Sequence, residues 1–91
     1  MRVSILMLAT LYDGRDLAGD FDEMHKLAEQ IAGHPIWTHQ FAQTRVWDEL
    51  RQGASEAFPD IAEVPQHEDW EVYRDALLDR FGESVEITVP E

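Results

Sequence analysis

Hydrophobic residues recur at the spacing of an α-helix in three stretches of the chain. In the clearest stretch, residues 21–32, the hydrophobic side chains and His25 fall on one side of a helix. Asp20 and Glu23 form a candidate capping box at its start, and Gly33 followed by Pro35 supplies a stop. The pattern predicts a helix of about three turns.

Two more helices are predicted in the second half of the chain. One covers residues 44–58, with Thr44 as the candidate N-cap and Pro59 after its end. The other covers residues 68–81 and stops at Gly82. Their predicted buried residues are Val46, Trp47, Leu50, Ala54, Ala57 and Phe58 in the first helix, and Trp70, Tyr73, Leu77 and Phe81 in the second.

The two ends of the chain carry different patterns. Residues 3–12 form a continuous apolar run that fits either a buried strand or a buried helix; good helix formers and Gly14 favour the helix. Residues 84–89 alternate apolar and polar side chains, which predicts a half-buried strand. Because a strand needs a partner, the candidates are residues 15–18, residues 36–39 and the N-terminal run.

These elements predict one α+β domain, residues 1–91, mainly helical, with about four helices and a short C-terminal strand in a minimal sheet. A hydrophobic content of 44% is sufficient for a core, which we expect the three tryptophans to dominate. The absence of cysteine excludes disulfides and thiolate chemistry. The longest apolar run is too short to span a bilayer and lacks a leader's cleavage site, so we expect a cytoplasmic protein that does not bind membranes.

Charge narrows the choice of partner. The chain has 19 Asp and Glu against seven Lys and Arg, a net charge of −12. Residues 1–55 carry a net −3 and residues 56–91 a net −9. This argues against direct binding to nucleic acid or anionic lipid, which proteins recognise with Lys and Arg. The excess of negative charge either keeps the protein soluble or binds a basic partner.

The most specific acidic pattern lies in the last predicted helix, where five carboxylates follow one another at spacings of three, four, four and four residues. They are Glu68, Glu71, Asp75, Asp79 and Glu83. On one helix face such residues are about 5–6 Å apart, which only loosely imitates the phosphates of a DNA strand. The row is either a solvated face or a surface that occupies the nucleic-acid channel of another protein. Further candidate contacts are Asp20, Asp22 and Glu86.

The sequence gives little support for a metal site, a catalytic nucleophile or a phosphate-binding loop. His34 and His39 are five residues apart across Pro35, which is not a helical ligand spacing. Ser4 and Ser55 lack a nucleophile elbow, and no phosphate-binding glycine loop occurs. We expect no metal site, no cofactor and no enzymatic activity. For the histidines we expect structural roles, with His25 on the apolar side of its helix and His39 donating a hydrogen bond that fixes its loop.

The stretch Gly33-His34-Pro35-Ile36-Trp37-Thr38-His39-Gln40 resembles part of a group of small, uncharacterised phage and prophage proteins. In that group Thr-His-Gln follows a helix that ends in Gly, and it precedes a Leu-Pro-Arg segment where this chain has Phe41-Ala42-Gln43-Thr44-Arg45. In size and acidity the chain also resembles anti-CRISPR and anti-restriction proteins, many of which are inhibitors without enzymatic activity. The resemblances imply a phage protein that acts inside a bacterial host cell.

We therefore expect an anti-defence inhibitor that binds a basic nucleic-acid-binding protein or complex through its acidic, DNA-mimicking face. The alternative is a small phage structural or regulatory domain whose acidity serves solubility and whose contacts involve Trp37 or Trp47. The sequence leaves the identity of the partner and the oligomeric state open.

Overall fold

The computed structural model of the chain describes residues 1–15, 17 and 19–89. In chain order the elements are β1 (Arg2–Ser4), α1 (Ile5–Asp13), α2 (Phe21–Ala32), α3 (Thr44–Ala57), α4 (Trp70–Phe81) and β2 (Ser84–Glu86). Two 3₁₀ helices, Thr38–Ala42 and Pro59–Glu63, precede and follow α3. Four helices with a two-stranded antiparallel sheet confirm the predicted α+β class.

The N-terminal apolar run contains both a strand and a helix. Its first residues pair with β2, and Val3 lies opposite Val85. The helix then begins at Ile5, because the Ser4 hydroxyl accepts the Met7 N–H at 3.4 Å, and it ends at Gly14 with φ of 91°.

The C-terminal strand is shorter than predicted and covers Ser84–Glu86. Beyond it, the Ile87 N–H still donates to the Met1 carbonyl at 2.8 Å, whereas the Thr88 N–H turns to Ala57 on α3. Of the other two candidate partners, residues 36–39 enter a 3₁₀ helix, and residues 16 and 18 lie outside the described residues.

The helix starts follow from side-chain capping. The Asp20 carboxylate accepts the Glu23 N–H at 3.1 Å, which is the Asp20 half of the capping box predicted for α2. The Thr44 cap is wrong, because the preceding 3₁₀ helix leaves only Gln43 between the two helices and Thr44 is already helical. Helix α4 starts two residues later than predicted, since the Asp69 carboxylate accepts the Glu71 N–H at 2.9 Å.

Helix α1 lies at the centre of the core, with α2, α3 and α4 packed around it. The largest fully buried side chains are Tyr73, Ile5, Leu8, Leu11, Leu50, Ile61 and Leu77. The expectation that tryptophans dominate the core is wrong. Trp37 is 70% exposed on a loop, Trp70 is 43% exposed at the first position of α4, and Trp47 is only partly buried. Among the described residues, no helix combines the length and apolar character needed to cross a bilayer.

Candidate functional site

The carboxylate row predicted on the last helix is shorter than expected. Glu71, Asp75 and Asp79 are exposed on α4 at i, i+4 spacing, about 6 Å of rise apart. Glu68 precedes the N-cap of the helix and Glu83 follows Gly82, so neither belongs to the helical face. Both are exposed near the ends of α4. We call the three helical carboxylates, Glu71, Asp75 and Asp79, the α4 row. Glu68 and Glu83 each lie beyond one end of it.

Intramolecular ion pairs divide the α4 row. Arg74 donates to Asp75 at 3.1 Å and also stacks over the Trp70 ring at 5.0 Å. Arg80 extends away from the row and pairs with Glu63. Within the described part of the chain, no cation lies within ion-pair distance of Glu71 or Asp79. These two residues carry the free negative charge of α4.

The three secondary candidates lie on other elements. Glu86 on β2 is partly neutralised by the N-terminal ammonium at 3.2 Å and by Arg2 at 3.7 Å. Asp20 caps α2, and Asp22 is exposed in the first turn of that helix. Asp20 and Asp22 therefore lie at the start of α2, which packs against α1 and α3, and they do not belong to the α4 row.

Across the described residues, almost every cation is already engaged. Lys26 pairs with Glu23 and Arg15 with Asp13, while Arg51 donates to Gln66 and lies 4.9 Å from the Tyr12 ring. Arg45 is the one described cation without an acidic or aromatic contact. The described carboxylates without a cationic partner are Asp20, Asp22, Asp48, Glu56, Asp60, Glu68, Glu71, Asp79 and Glu83. The surface therefore offers negative charge and hardly any free positive charge.

A second surface feature is the loop that carries Trp37. The Glu29 carboxylate accepts the Ile36 N–H at 2.9 Å, and His25 Nε2 contacts the Ile36 carbonyl. The Gln40 side chain accepts the Trp37 N–H at 2.7 Å, while the Gln40 N–H donates to the Trp37 carbonyl at 2.9 Å. The loop backbone is thus held on both sides of an indole that is 70% exposed. Rigid exposed aromatic residues of this kind anchor many protein interfaces.

His34 fixes the same loop to α3. Its Nδ1 contacts the Pro35 carbonyl at 3.0 Å, and its Nε2 contacts the Glu49 carboxylate at 2.7 Å. The Pro35 carbonyl and then Glu49 raise the pKa of His34, because the imidazolium donates to both. The loop bond predicted for His39 is not seen among the described residues: its side chain is exposed and bonds to none of them, and Gln40 takes that role. No three His, Asp or Glu residues converge on a possible metal position in the described ranges.

Arg15 connects the end of α1 to the start of α4. It pairs with Asp13 and donates to the carbonyls of His67 at 2.6 Å and Glu68 at 2.8 Å. Gln66 also donates to Asp13, at 2.6 Å. Burial alone would raise the pKa of Asp13, but the bonds from Arg15 and Gln66 lower it overall. The bonds of Arg15 to His67 and Glu68 position the α4 row. In the sequence, their only sign is that Arg15 is an isolated basic residue among acidic ones.

A family model described as Domain of unknown function (DUF7736) matches residues 4–64. The chain belongs to this family. The DUF7736 segment contains α1, α2 and α3, so the loop of Trp37 lies inside it and the α4 row lies beyond it. No curated protein and no solved structure matches the chain.

Proposed function

We propose that this domain is a non-enzymatic inhibitor that binds a basic, nucleic-acid-binding protein of a bacterial defence system through its acidic surface. The observation that carries the proposal is the separation of charge: all described cations except Arg45 are internally engaged, while Glu71 and Asp79 on α4 are exposed without a cation. The phage and anti-defence setting comes from the resemblance of residues 33–40 and from size and acidity.

The chemistry of recognition would be ionic. Lys and Arg that normally hold phosphates would donate to the carboxylates of the α4 row and to Glu68 and Glu83 at its ends. Unlike a regular strand of phosphates, the row is interrupted where Arg74 neutralises Asp75. The partner's cations would therefore meet two acidic patches, one at each end of α4. Long-range attraction would speed association, and salt would weaken it.

The test compares two variants that change net charge equally. Glu71→Lys with Asp79→Lys alters the free carboxylates of α4. Asp48→Lys with Glu56→Lys is the matched control, because both residues are exposed on α3 and neither is a candidate contact. The tagged wild-type protein and both variants are used to capture proteins from a bacterial lysate at low salt, and circular dichroism verifies that the variants fold.

The proposal expects a basic nucleic-acid-binding protein that the wild type and the control retain and that double-stranded DNA displaces. The α4 variant should bind it at least about tenfold more weakly, since attraction becomes repulsion at two positions. Equal capture by the α4 variant, or capture that persists in high salt, would overturn the proposal.

The exposed indole of Trp37 favours one alternative: a structural or regulatory phage domain that binds its partner through this loop. Trp47 fits that role less well, since it is partly buried and its Nε1–H donates to the Phe41 carbonyl at 2.7 Å. An aromatic interface keeps its partner in high salt and loses it on Trp37→Ala, with Trp70→Ala as the control.

A further inference from the structure

A cleft of about 210 Å³ opens on the side of the domain where α2 begins. The described residues that line it are Thr10, Gly14, Asp20, Phe21, Met24 and Trp47. Its volume is below the roughly 300–1,000 Å³ of clefts that hold drug-sized ligands, so it suits one side chain. All six residues lie in the part of the chain that the family model matches.

The aromatic walls of the cleft are held in place by neighbouring rings. The Phe21 ring lies 5.6 Å from Phe41 in an edge-to-face arrangement, and Trp47 lies 5.7 Å from Phe41. The hydrogen bond from Trp47 Nε1 to the Phe41 carbonyl fixes the orientation of the indole. Phe21 nevertheless remains 47% exposed. The cleft is therefore walled by rings whose positions are fixed by their neighbours, and Phe21 keeps part of its surface in solvent.

The charge at the rim of the cleft is negative. Asp20 lines the cleft, and no described cation pairs with its carboxylate. The neighbouring depression, which Trp47 also lines, holds Asp13, Asp48 and Arg51. The N-terminus of α2 contributes about half a positive charge, and the full negative charge of the Asp20 cap outweighs it. A cationic group is the complementary occupant.

We propose that this cleft receives an arginine side chain of the binding partner, with the guanidinium against the Phe21 and Trp47 rings and beside the Asp20 carboxylate. Aromatic faces attract cations, and the planar guanidinium also stacks on rings, which an ammonium does not. The proposal rests on the proposed function in one respect, namely that the partner is basic. It adds a defined anchor on α2, away from the α4 row.

The test uses N-acetyl-arginine amide as the probe and the full chain as the target. The ¹⁵N–¹H resonance of the Trp47 indole reports occupancy, and the neutral isostere N-acetyl-citrulline amide is the ligand control. We expect a saturable shift with arginine, with a dissociation constant on the order of millimolar, and at least about fivefold weaker binding of citrulline.

Three variants separate this site from general attraction to an acidic protein. Asp20→Ser keeps the helix cap and removes the charge, and Phe21→Leu keeps an apolar side chain and removes the ring. Each should weaken arginine binding roughly fivefold, whereas Glu56→Gln, at an exposed carboxylate on α3 outside the cleft, should leave it unchanged.

An unshifted Trp47 indole, equal binding of citrulline, or equal effects of Asp20→Ser and Glu56→Gln would overturn the proposal. Since the probe is an amino-acid amide, its failure leaves the capture experiment on α4 unaffected. A failed capture experiment likewise leaves the amide titration interpretable.

Discussion

Gly53 of α3 lies directly against Ile31 of α2, so that a Cβ atom at position 53 would be 2.5 Å from Ile31 Cγ2 and 3.4 Å from the Ile31 carbonyl. Among the described glycines, Gly53 is the one that lies within a helix. Ile31 is only 3% exposed. The glycine therefore sets how closely α2 and α3 pack. That packing also positions Phe21 on α2 relative to Trp47 on α3.

Gly53→Ala should destabilise the protein although alanine is the better helix former. The higher helix propensity of alanine stabilises the folded state by about 1 kcal/mol. Overpacking against the branched, buried side chain of Ile31 costs about 1–3 kcal/mol. We expect a net loss of about 1 kcal/mol in the free energy of unfolding, measured by urea denaturation. In an Ile31→Leu background, which lacks the β-branched methyl, the same substitution should cost less. A stabilising Gly53→Ala in the wild-type background would contradict the close approach.

Tyr73→Phe should leave stability unchanged or raise it. The ring of Tyr73 is fully buried, and its hydroxyl has no hydrogen-bond partner among the described residues. Burial raises the pKa of this hydroxyl to about 12. Removing an unsatisfied buried hydroxyl relieves a desolvation cost of about 1 kcal/mol or more, whereas Tyr73→Leu loses the packing of the ring. Thermal denaturation of both variants checks this, and a clear loss with Tyr73→Phe would show that the hydroxyl is satisfied in solution.

Asp13→Asn should destabilise the protein in a pH-dependent way. At pH 7 the substitution weakens charged hydrogen bonds from Arg15 and Gln66, at a cost of about 2 kcal/mol. The folded state lowers the pKa of Asp13, so the ionised carboxylate stabilises the fold above its unfolded pKa of about 4. That contribution disappears as the pH falls through the folded-state pKa.

Urea denaturation of wild type and Asp13→Asn between pH 7 and pH 2 measures this linkage. The difference in unfolding free energy should shrink below about pH 4. Asp22→Asn, at an exposed carboxylate without a cationic partner in the described chain, serves as the control. A difference between wild type and Asp13→Asn that stays constant with pH would contradict the Arg15 contact.

The candidate surfaces were predictable to different degrees. The spacing of Glu71, Asp75 and Asp79 placed them on one exposed helix face, because the helical period depends only on the local chain. Their ion pairs could not be predicted in the same way, since Arg74 has several carboxylates within reach and the fold selects Asp75. The exposure of Trp37 was also unpredictable, because its apolar character favours burial and only the packing of the loop leaves it outside.

By itself, the sequence determined the α+β class, the existence of α2, α3 and α4, and the acidity of the C-terminal part. Hydrophobic period, the Asp20 cap and the glycine stops are interactions within a few residues, so they are visible in the chain. The tertiary structure alone decided that Arg2–Ser4 pairs with Ser84–Glu86 and that Arg15 joins α1 to the start of α4. Contacts between residues more than fifty positions apart leave no local pattern, because they form only when the core brings the two segments together.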